Sequence, residues 1–405
     1  MKKLFIAFAF VSIFGRNANA QTAYITNGNA YSVSVIDVAT NTITDTITVG
    51  AHPDGVSVSP DGSKVYITNG GANTVSVINS STNTVSATII VGANPYGIAV
   101  SSDGIKVYVV NYTDSTLSVI NSATNTVTAT IVVGYHPEGV AVSPDGNKVY
   151  VANKGDGTVS VINSSTNTVS VIISVGTYPE GIAVSPDGNT VYVANASASS
   201  VSVINSSTNV VSATITVGNG PSGVSISPDG SKLYVTNYSD NTVSVINTAN
   251  NTVTATITVG DEPYGISVSP DGSKVYVANI SSNTVSVINS ANNVVSATIT
   301  IGNGPYAFGN FISTYTPTGL ALLDIQAAGI SVYPNPTFGR FTIEVKNGCI
   351  NTIGVYNLIG EKVAAISNSI GSTSNEIDLS ASPKGIYFAK IYSRENFYTF
   401  KIIVQ

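Results

Sequence analysis

Short runs of alternating apolar and polar residues fill most of the chain, and their order recurs with a period of 42 residues. In one unit the runs span residues 95–101, 106–111, 116–121 and 126–133, with turn-forming residues between them. Such alternation is typical of half-buried β-strands. The Val-Gly or Ile-Gly dipeptide of the seven copies starts at Val49, Val91, Val133, Val175, Val217, Val259 and Ile301. A period near 40 with four strands per unit indicates the blades of a β-propeller.

The turns between the first two runs of each unit favour antiparallel hairpins. An Asp-Gly pair follows a proline in five units, and residues 102–104 form the same turn as Ser-Asp-Gly without proline. Glycine adopts the positive φ of such turns at little cost. A stacked β-solenoid is the alternative that the repeat leaves open, but regular hairpin turns favour a propeller over parallel coils.

The two ends of the repetitive region complete each other. The first copy begins with a second strand, residues 24–27, whereas the last copy stops after a first strand, residues 305–312. We therefore predict that residues 305–312 are the innermost strand of a blade whose other strands lie within 23–49. This closure removes the free edges of an open ring. The predicted fold is all-β, with a seven-bladed β-propeller of four antiparallel strands per blade over residues 21–313.

The N-terminal 20 residues have the features of a signal peptide. Lys2 and Lys3 precede an apolar run over residues 4–14, and residues 18–20 read Ala-Asn-Ala, as signal peptidase prefers. The apolar run is about half as long as a membrane-spanning helix requires. We expect cleavage before Gln21 and no membrane-spanning segment in the mature chain.

Charged residues are only 9% of the chain. Residues 21–313 contain 16 acids, 6 lysines and no arginine, for a net charge of −10, whereas residues 329–405 carry +2. An acidic propeller argues against nucleic-acid binding, which requires a basic face. Cys349 is the only cysteine, so an internal disulfide cannot form.

The repeats resemble a known family. Residues 66–69 read Tyr-Ile-Thr-Asn and residues 234–237 read Tyr-Val-Thr-Asn, with Ser-Pro-Asp-Gly and Val-Ile-Asn at fixed offsets. These motifs are similar to the YVTN family of β-propeller repeats, found in surface-layer and other extracytoplasmic proteins of prokaryotes. The resemblance implies a scaffold or binding role more often than catalysis. We interpret the repeated tyrosine of each unit as packing between blades.

A second resemblance begins after a predicted linker, residues 314–328. Its motif residues are Tyr333, Pro334, Asn335, Pro336, Gly339, Gly385 and Tyr387. The pattern resembles the type A C-terminal sorting domain of proteins exported by the type IX secretion system. It implies that residues 329–405 form a small Ig-like β-sandwich of about seven strands that engages the type IX machinery and is commonly removed afterwards. The implied location is the surface or surroundings of a Gram-negative bacterium, reached through the periplasm.

Loops that differ between the seven units collect on one face of the predicted ring, which we call the variable face. The residue after each inner-strand proline should ring the mouth of the central channel; in chain order these are Asp54, Tyr96, Glu138, Glu180, Ser222, Tyr264 and Tyr306. Varied loops on a rigid frame are common binding sites. The candidate binding rim is His52, Asp54, Tyr96, His136, Glu138, Tyr178, Glu180, Glu262, Tyr264 and Tyr306.

We expect a monomeric recognition, adhesion or scaffold module for an extracellular protein or glycan, without catalytic residues or cofactor. Two alternatives remain open. A lactonase-like hydrolase, a class similar to this family in fold, would bring His136, Glu138 and Glu180 within hydrogen-bond reach. A purely structural surface-coat protein would tolerate charge reversal across the variable face. Asp54, Glu138 and Glu180 also leave Ca²⁺ as an open possibility.

Overall fold

The computed structural model describes residues 21–313, 330–335, 337–345, 350–357, 362–393 and 396–404. The predicted signal peptide (1–20), the predicted linker (314–328) and Pro336 lie outside the described residues. The described residues fall into two compact units, one within Met1–Thr316 and the other within Pro317–Gln405. Each unit is described by itself.

The first unit is a ring of seven antiparallel sheets. Blade 1 contains β1 (Thr22–Asn27), β2 (Ser32–Asp37) and β3 (Thr42–Thr48). Blades 2 to 4 contain β4 (Pro53–Val58), β5 (Lys64–Asn69), β6 (Thr74–Asn79), β7 (Thr84–Ile90), β8 (Pro95–Val100), β9 (Lys106–Asn111), β10 (Thr116–Asn121), β11 (Thr126–Val132), β12 (Pro137–Val142), β13 (Lys148–Asn153), β14 (Thr158–Asn163) and β15 (Thr168–Ser174). Blades 5 to 7 contain β16 (Pro179–Val184), β17 (Thr190–Asn195), β18 (Ser200–Asn205), β19 (Val210–Thr216), β20 (Pro221–Ile226), β21 (Lys232–Asn237), β22 (Thr242–Asn247), β23 (Thr252–Thr258), β24 (Pro263–Val268), β25 (Lys274–Asn279), β26 (Thr284–Asn289) and β27 (Val294–Thr300). Short 3₁₀ helices span Gly28–Ala30 and Ala196–Ala198.

Within blades 2 to 7 the strands pair in chain order, each with its neighbour. The first strand is innermost, and a glycine in it allows neighbouring blades to approach at the axis. A Cβ atom on Gly181 of β16 would lie only 2.2 Å from the backbone oxygen of Ser222 in the next inner strand. The same position in β8 is Gly97, whose added Cβ would lie 2.3 Å from the Glu138 oxygen. A real Cβ atom does not fit at that distance, so glycine permits the narrow centre.

The core lies between the blades. The repeated tyrosine in the second strand of each blade is buried at all seven positions, namely Tyr24, Tyr66, Tyr108, Tyr150, Tyr192, Tyr234 and Tyr276. Tyr108 of blade 3 packs in one cluster with Val140, Val149 and Val151 of blade 4. The structure therefore supports the interpretation that these tyrosines pack blade against blade.

Residues 305–312 close the ring against β1, which confirms the predicted closing blade. The Tyr24 amide donates to the Phe311 carbonyl (2.9 Å), and the Tyr306 amide donates to the Thr26 carbonyl (3.0 Å). The segment pairs with β1 as separate antiparallel residue pairs rather than as a continuous strand, with Ala23 opposite Ile312 and Asn27 opposite Pro305. It is less regular than the other inner strands because part of it bonds to blade 2 instead, where the Val56 amide donates to the Phe308 carbonyl (3.0 Å).

The second unit contains seven strands among its described residues, as the resemblance implied. One sheet has the order β28 (Ile330–Tyr333), β29 (Arg340–Val345), β32 (Ser374–Asp378). The other has the order β31 (Lys362–Ser372), β30 (Ile350–Tyr356), β33 (Gly385–Ser393), β34 (Asn396–Val404). Phe341 and Ile377 of the first sheet share a buried core with Ile353, Ala389 and Ile402 of the second. Two sheets over one core form a β-sandwich.

Candidate functional site

The two sets of varied loops lie together on one face, as predicted. A backbone hydrogen bond joins them in each of several blades: the Tyr112 amide donates to the Asn94 carbonyl (3.0 Å), and the Lys154 amide donates to the His136 carbonyl (3.1 Å). The loop between the second and third strands is thereby fixed to the loop that enters the inner strand. Side chains from both loops therefore share the variable face.

The side chains that follow the inner-strand prolines fill the channel at this face rather than line an open mouth. Five of the seven are buried, and two, Tyr96 and Tyr306, are half-buried; the buried ones are Asp54, Glu138, Glu180, Ser222 and Tyr264. Their convergence follows from the close approach of the inner strands. The sequence predicted their common position but not their burial, which makes most of them inaccessible to a large partner.

A hydrogen-bonded chain crosses the channel between distant blades. The Tyr96 hydroxyl of blade 3 donates to the Tyr264 hydroxyl of blade 7 (2.8 Å), and the latter donates to Glu138 Oε1 of blade 4 (2.5 Å). The Phe308 ring lies 5.7 Å from the Tyr96 ring and 5.5 Å from the Tyr264 ring. We call Tyr96, Glu138, Tyr264 and Phe308 the channel plug. Burial raises the pKa of both tyrosines well above the usual value, so their hydroxyls stay protonated and can donate.

Lys154, in a loop of the variable face, forms ion pairs with two acids at the channel axis. Its Nζ lies 2.9 Å from Glu138 Oε2 and 2.7 Å from Glu180 Oε1. Burial acts to lower the Lys154 pKa, but the charges of Glu138 and Glu180 outweigh burial and raise it. Lys154 follows β13 in a loop that differs between the repeats, and it was not among the predicted rim residues because its two partners belong to other strands. The signal that could have identified it is its positive charge beside the predicted ring that contains Asp54, Glu138 and Glu180.

Two carboxyl groups here have raised pKa values. Burial, followed by the Glu138 charge, raises the pKa of Asp54 to about 7. Burial and the Glu138 charge raise the pKa of Glu180 to about 8, although Lys154 acts in the opposite direction. Asp54 and Glu180 therefore hold protons at pH values where surface carboxyls are ionised.

The residue before each inner-strand proline adopts a left-handed backbone conformation in all seven repeats. These residues are His52, Asn94, His136, Tyr178, Gly220, Glu262 and Gly304. Their φ angles lie between 45° and 65°, as in His52 (48°) and Gly304 (65°). The turn requires a positive φ at this position, and its geometry keeps the side chains outside the plug. Rim residues His52, His136, Tyr178 and Glu262 thus form an outer layer, separate from the buried layer at the axis.

Exposed aromatic rings surround the plug on the variable face. The His136 ring stacks between those of Tyr112 (4.3 Å) and Tyr135 (3.7 Å), while Tyr31 meets the His52 ring edge-on at 5.2 Å. Exposed fractions are 44% for Tyr31, 55% for Tyr135 and 54% for Tyr178. We call Tyr31, Tyr112, Tyr135, His136 and Tyr178 the aromatic face. Tyr31, Tyr112 and Tyr135 were not among the predicted rim residues, although all three lie in or beside varied loops.

The arrangement around His136 differs from what the hydrolase hypothesis requires. Glu138 and Glu180 both contact the Lys154 ammonium, whereas the His136 ring contacts the rings of Tyr112 and Tyr135. Among the described residues, no group of three or more His, Cys, Asp or Glu side chains is arranged to hold a metal ion.

The predicted sorting residues occupy structural positions in the sandwich. The exposed Tyr333 ends β28, and its hydroxyl donates to Glu344 Oε2 (3.0 Å). Gly339 has φ 115°, and a Cβ there would lie 2.7 Å from Ser380 Cα. Buried Tyr387 donates its hydroxyl to the Pro383 carbonyl (2.5 Å). Pro334 and Asn335 follow β28, and Gly385 begins β33.

Comparisons with known families agree with both units. A secretion system C-terminal sorting domain matches residues 331–405. A YNCE-like β-propeller matches residues 6–104 and 224–313, and a choice-of-anchor I domain matches residues 79–260. No curated protein matches the chain.

Solved structures share the propeller fold at low sequence identity. Hydrazine synthase from Kuenenia stuttgartiensis is 22% identical, with a TM-score of 0.62 over 70% of this chain and 99% of that one. A protein of unknown function from Desulfotomaculum acetoxidans is 19% identical, with a TM-score of 0.63 over 72% and 100%. A putative 6-phosphogluconolactonase from Bacteroides uniformis is 18% identical, with a TM-score of 0.62 over 71% and 98%. These similarities concern the fold alone.

The remaining observations concern location. No helix in the described part of the chain is long and apolar enough to cross a membrane. The sorting domain directs the protein to the type IX secretion machinery. The chain therefore combines a β-propeller that is similar to YNCE-like propellers with a secretion system C-terminal sorting domain, and it is exported to the cell surface or extracellular space of a Gram-negative bacterium.

Proposed function

We propose that the protein is a recognition module outside the cell, and that its aromatic face binds an extracellular protein or glycan. The observation that carries this proposal is the exposure of Tyr31, Tyr135 and Tyr178 on loops that vary between otherwise similar repeats. Tyrosine is enriched where proteins bind partners, because it combines a large apolar ring with a polar hydroxyl. The same rings can stack on the apolar faces of sugars.

The loops that carry these rings are held in place before binding. The Asp156 carboxylate accepts a hydrogen bond from the Tyr135 amide (2.7 Å), and Asp114 accepts one from the Ala93 amide (2.7 Å). Lys154, two residues from Asp156, is fixed to the buried acids of the plug. A surface ordered in advance loses less conformational entropy when a partner binds.

The channel plug contributes a second supporting feature. Because it joins blades 3, 4 and 7 across the axis, it holds the inner ends of varied loops at fixed distances from one another. This arrangement suits binding by a rigid surface better than entry of a substrate at this mouth.

The test is a glycan and protein binding screen with the secreted protein and the double variant Tyr135→Ala/Tyr178→Ala. Exposed aromatic anchors contribute on the order of 2 kcal/mol each, so we expect at least about a 100-fold loss of affinity for any ligand found. Val210→Ala/Val294→Ala is the matched control, since both residues are exposed at the start of outer strands, β19 and β27, next to the opposite face. Equal affinity of the parent and the tyrosine variant would exclude the aromatic face as the binding surface.

The same experiment separates the proposal from its alternatives. A surface-coat protein would give no ligand in the screen and would tolerate reversal of the charges at Asp261 and Glu262. A hydrolase would yield a metal or substrate on purification and lose turnover when His136 is changed to Ala. A ligand whose binding depends on Tyr135 and Tyr178, without turnover, is the result that supports recognition.

A further inference from the structure

The end of the channel opposite the plug is an open cavity of about 560 Å³. Its walls are the C-terminal halves of the inner strands, and its edge includes prolines of the Pro-Asp-Gly turns, such as Pro60 and Pro144. The last residue of each inner strand faces it: Val58, Val100, Val142, Val184, Ile226 and Val268, with Asn310 at the seventh position. We call this cavity the basal funnel.

The funnel ends blindly inside the ring. Beyond it, Gly97, Gly139, Gly181 and Phe308 line a constriction with a volume of about 30 Å³. The channel plug lies further along the axis, so a ligand can enter only from the face of the Pro-Asp-Gly turns.

The funnel wall is apolar and uncharged. No charged side chain occurs among the described residues that line it. Two of its serine hydroxyls accept hydrogen bonds from neighbouring strands: Ser57 Oγ accepts from the Val100 amide (3.2 Å), and Ser225 Oγ accepts from the Val268 amide (3.1 Å). A charged ligand would lose its hydration here without a compensating partner. The wall therefore suits a neutral, largely apolar occupant.

Asn310 provides one polar contact in this wall. It is exposed, and it stands where the other six inner strands have Val or Ile. The Ser267 hydroxyl donates to its Oδ1 (3.3 Å), which orients the amide. The described hydrogen bonds include none donated by its Nδ2. The amide can therefore donate to an acceptor on a molecule inside the funnel.

We propose that the basal funnel binds a small neutral, largely apolar molecule whose carbonyl or ether oxygen accepts a hydrogen bond from Asn310. The volume lies within the range of small-molecule pockets, about 300–1,000 Å³. The Asn310 amide, at the one position of this ring that has no Val or Ile, orients the ligand in the funnel. This site is independent of the aromatic face, which lies at the other end of the channel.

The first test uses Nile red, a neutral dye with a ring carbonyl, titrated into the purified full chain. We expect saturable 1:1 binding with blue-shifted emission. Val100→Phe/Ile226→Phe fills the funnel and should weaken binding by at least about tenfold. Val132→Phe/Val210→Phe is the control, because it adds the same side chains to exposed positions on outer strands. Binding that does not saturate, or that both double variants weaken equally, would overturn the proposal.

The second test concerns the amide. Asn310→Leu should weaken Nile red binding about fivefold, the usual effect of losing one hydrogen bond. Diphenylhexatriene, a neutral probe without an acceptor, should bind the variant and the parent equally well. A loss that is equal for both probes, or no loss for Nile red, would refute the role of Asn310. Thermal melting of each variant checks that the ring remains folded.

Discussion

Replacing Lys154 by Met tests the electrostatics of the plug most directly. The ammonium lies within 2.9 Å of Glu138 and 2.7 Å of Glu180, and both carboxyl groups are buried. Methionine keeps much of the apolar stem but removes the charge that both acids share. The two acids are then left together in the interior without a cation.

The magnitude follows from burial. Removing one partner of a buried ion pair costs about 3–5 kcal/mol, because an uncompensated charge remains. The cost depends on pH. A carboxyl group whose pKa is raised in the folded state stabilises the fold at pH values below its unfolded pKa. That stabilisation is lost as pH rises through the folded pKa. Glu180 already has a pKa of about 8 with Lys154 present. We therefore expect about 4 kcal/mol at pH 8.5 and roughly half of that at pH 5.5, where Glu180 is protonated.

The assay is thermal unfolding of parent and variant at both pH values. At about 2 °C per kcal/mol for a large domain, Lys154→Met should lower the melting temperature by about 8 °C at pH 8.5 and by about 4 °C at pH 5.5. Lys148→Met is the matched control, because Lys148 donates to the neutral Ser206 carbonyl (2.5 Å) rather than to a carboxylate. A Lys154→Met effect that is the same at both pH values, or no larger than that of Lys148→Met, would refute the reasoning.

Three further predictions concern the ring. Deleting residues 304–312 should lower the melting temperature, because β1 then loses its inner partner, including the bonds from Tyr24 to Phe311 and from Tyr306 to Thr26; a deletion variant that melts like the parent would contradict the closure. Gly181→Ala should lower the free energy of unfolding in urea by about 1–3 kcal/mol, since its Cβ would lie 2.2 Å from a backbone oxygen. Ala183→Ser is the control: it introduces the serine that other blades have at this position, and it should be nearly neutral. The unfolding free energy of the parent should fall between pH 5 and pH 8. Asp54 and Glu180 have folded pKa values of about 7 and 8, and their stabilising contribution is lost as pH rises through these values. If an Asp54→Asn/Glu180→Gln variant shows the same dependence of unfolding free energy on pH, these two residues are not its cause.

The repetitive sequence determined the blades and their closure. Each hairpin depends on neighbours within one 42-residue unit, so strand alternation and Asp-Gly turns were sufficient to predict it. The closing pairing followed from counting strands, since the missing first strand of one end matched the surplus strand at the other. The tyrosine interpretation also came from local pattern, because one bulky ring per unit has one role in every blade. The C-terminal sandwich was implied by the resemblance of its motifs to a sorting-domain family, and not by the strand pattern alone.

Only the tertiary structure decided which candidate residues are accessible. Tyr96 and Tyr264 are 168 residues apart and meet across the axis, so their burial depends on the radius of the closed ring rather than on either strand. The same geometry brought Lys154 to two acids of different blades and left Asn310 exposed in the funnel. Local periodicity specifies what each blade is, whereas contacts at the centre depend on all seven inner strands at once. For that reason the sequence predicted where the variable face lies, but not which of its side chains a partner can reach.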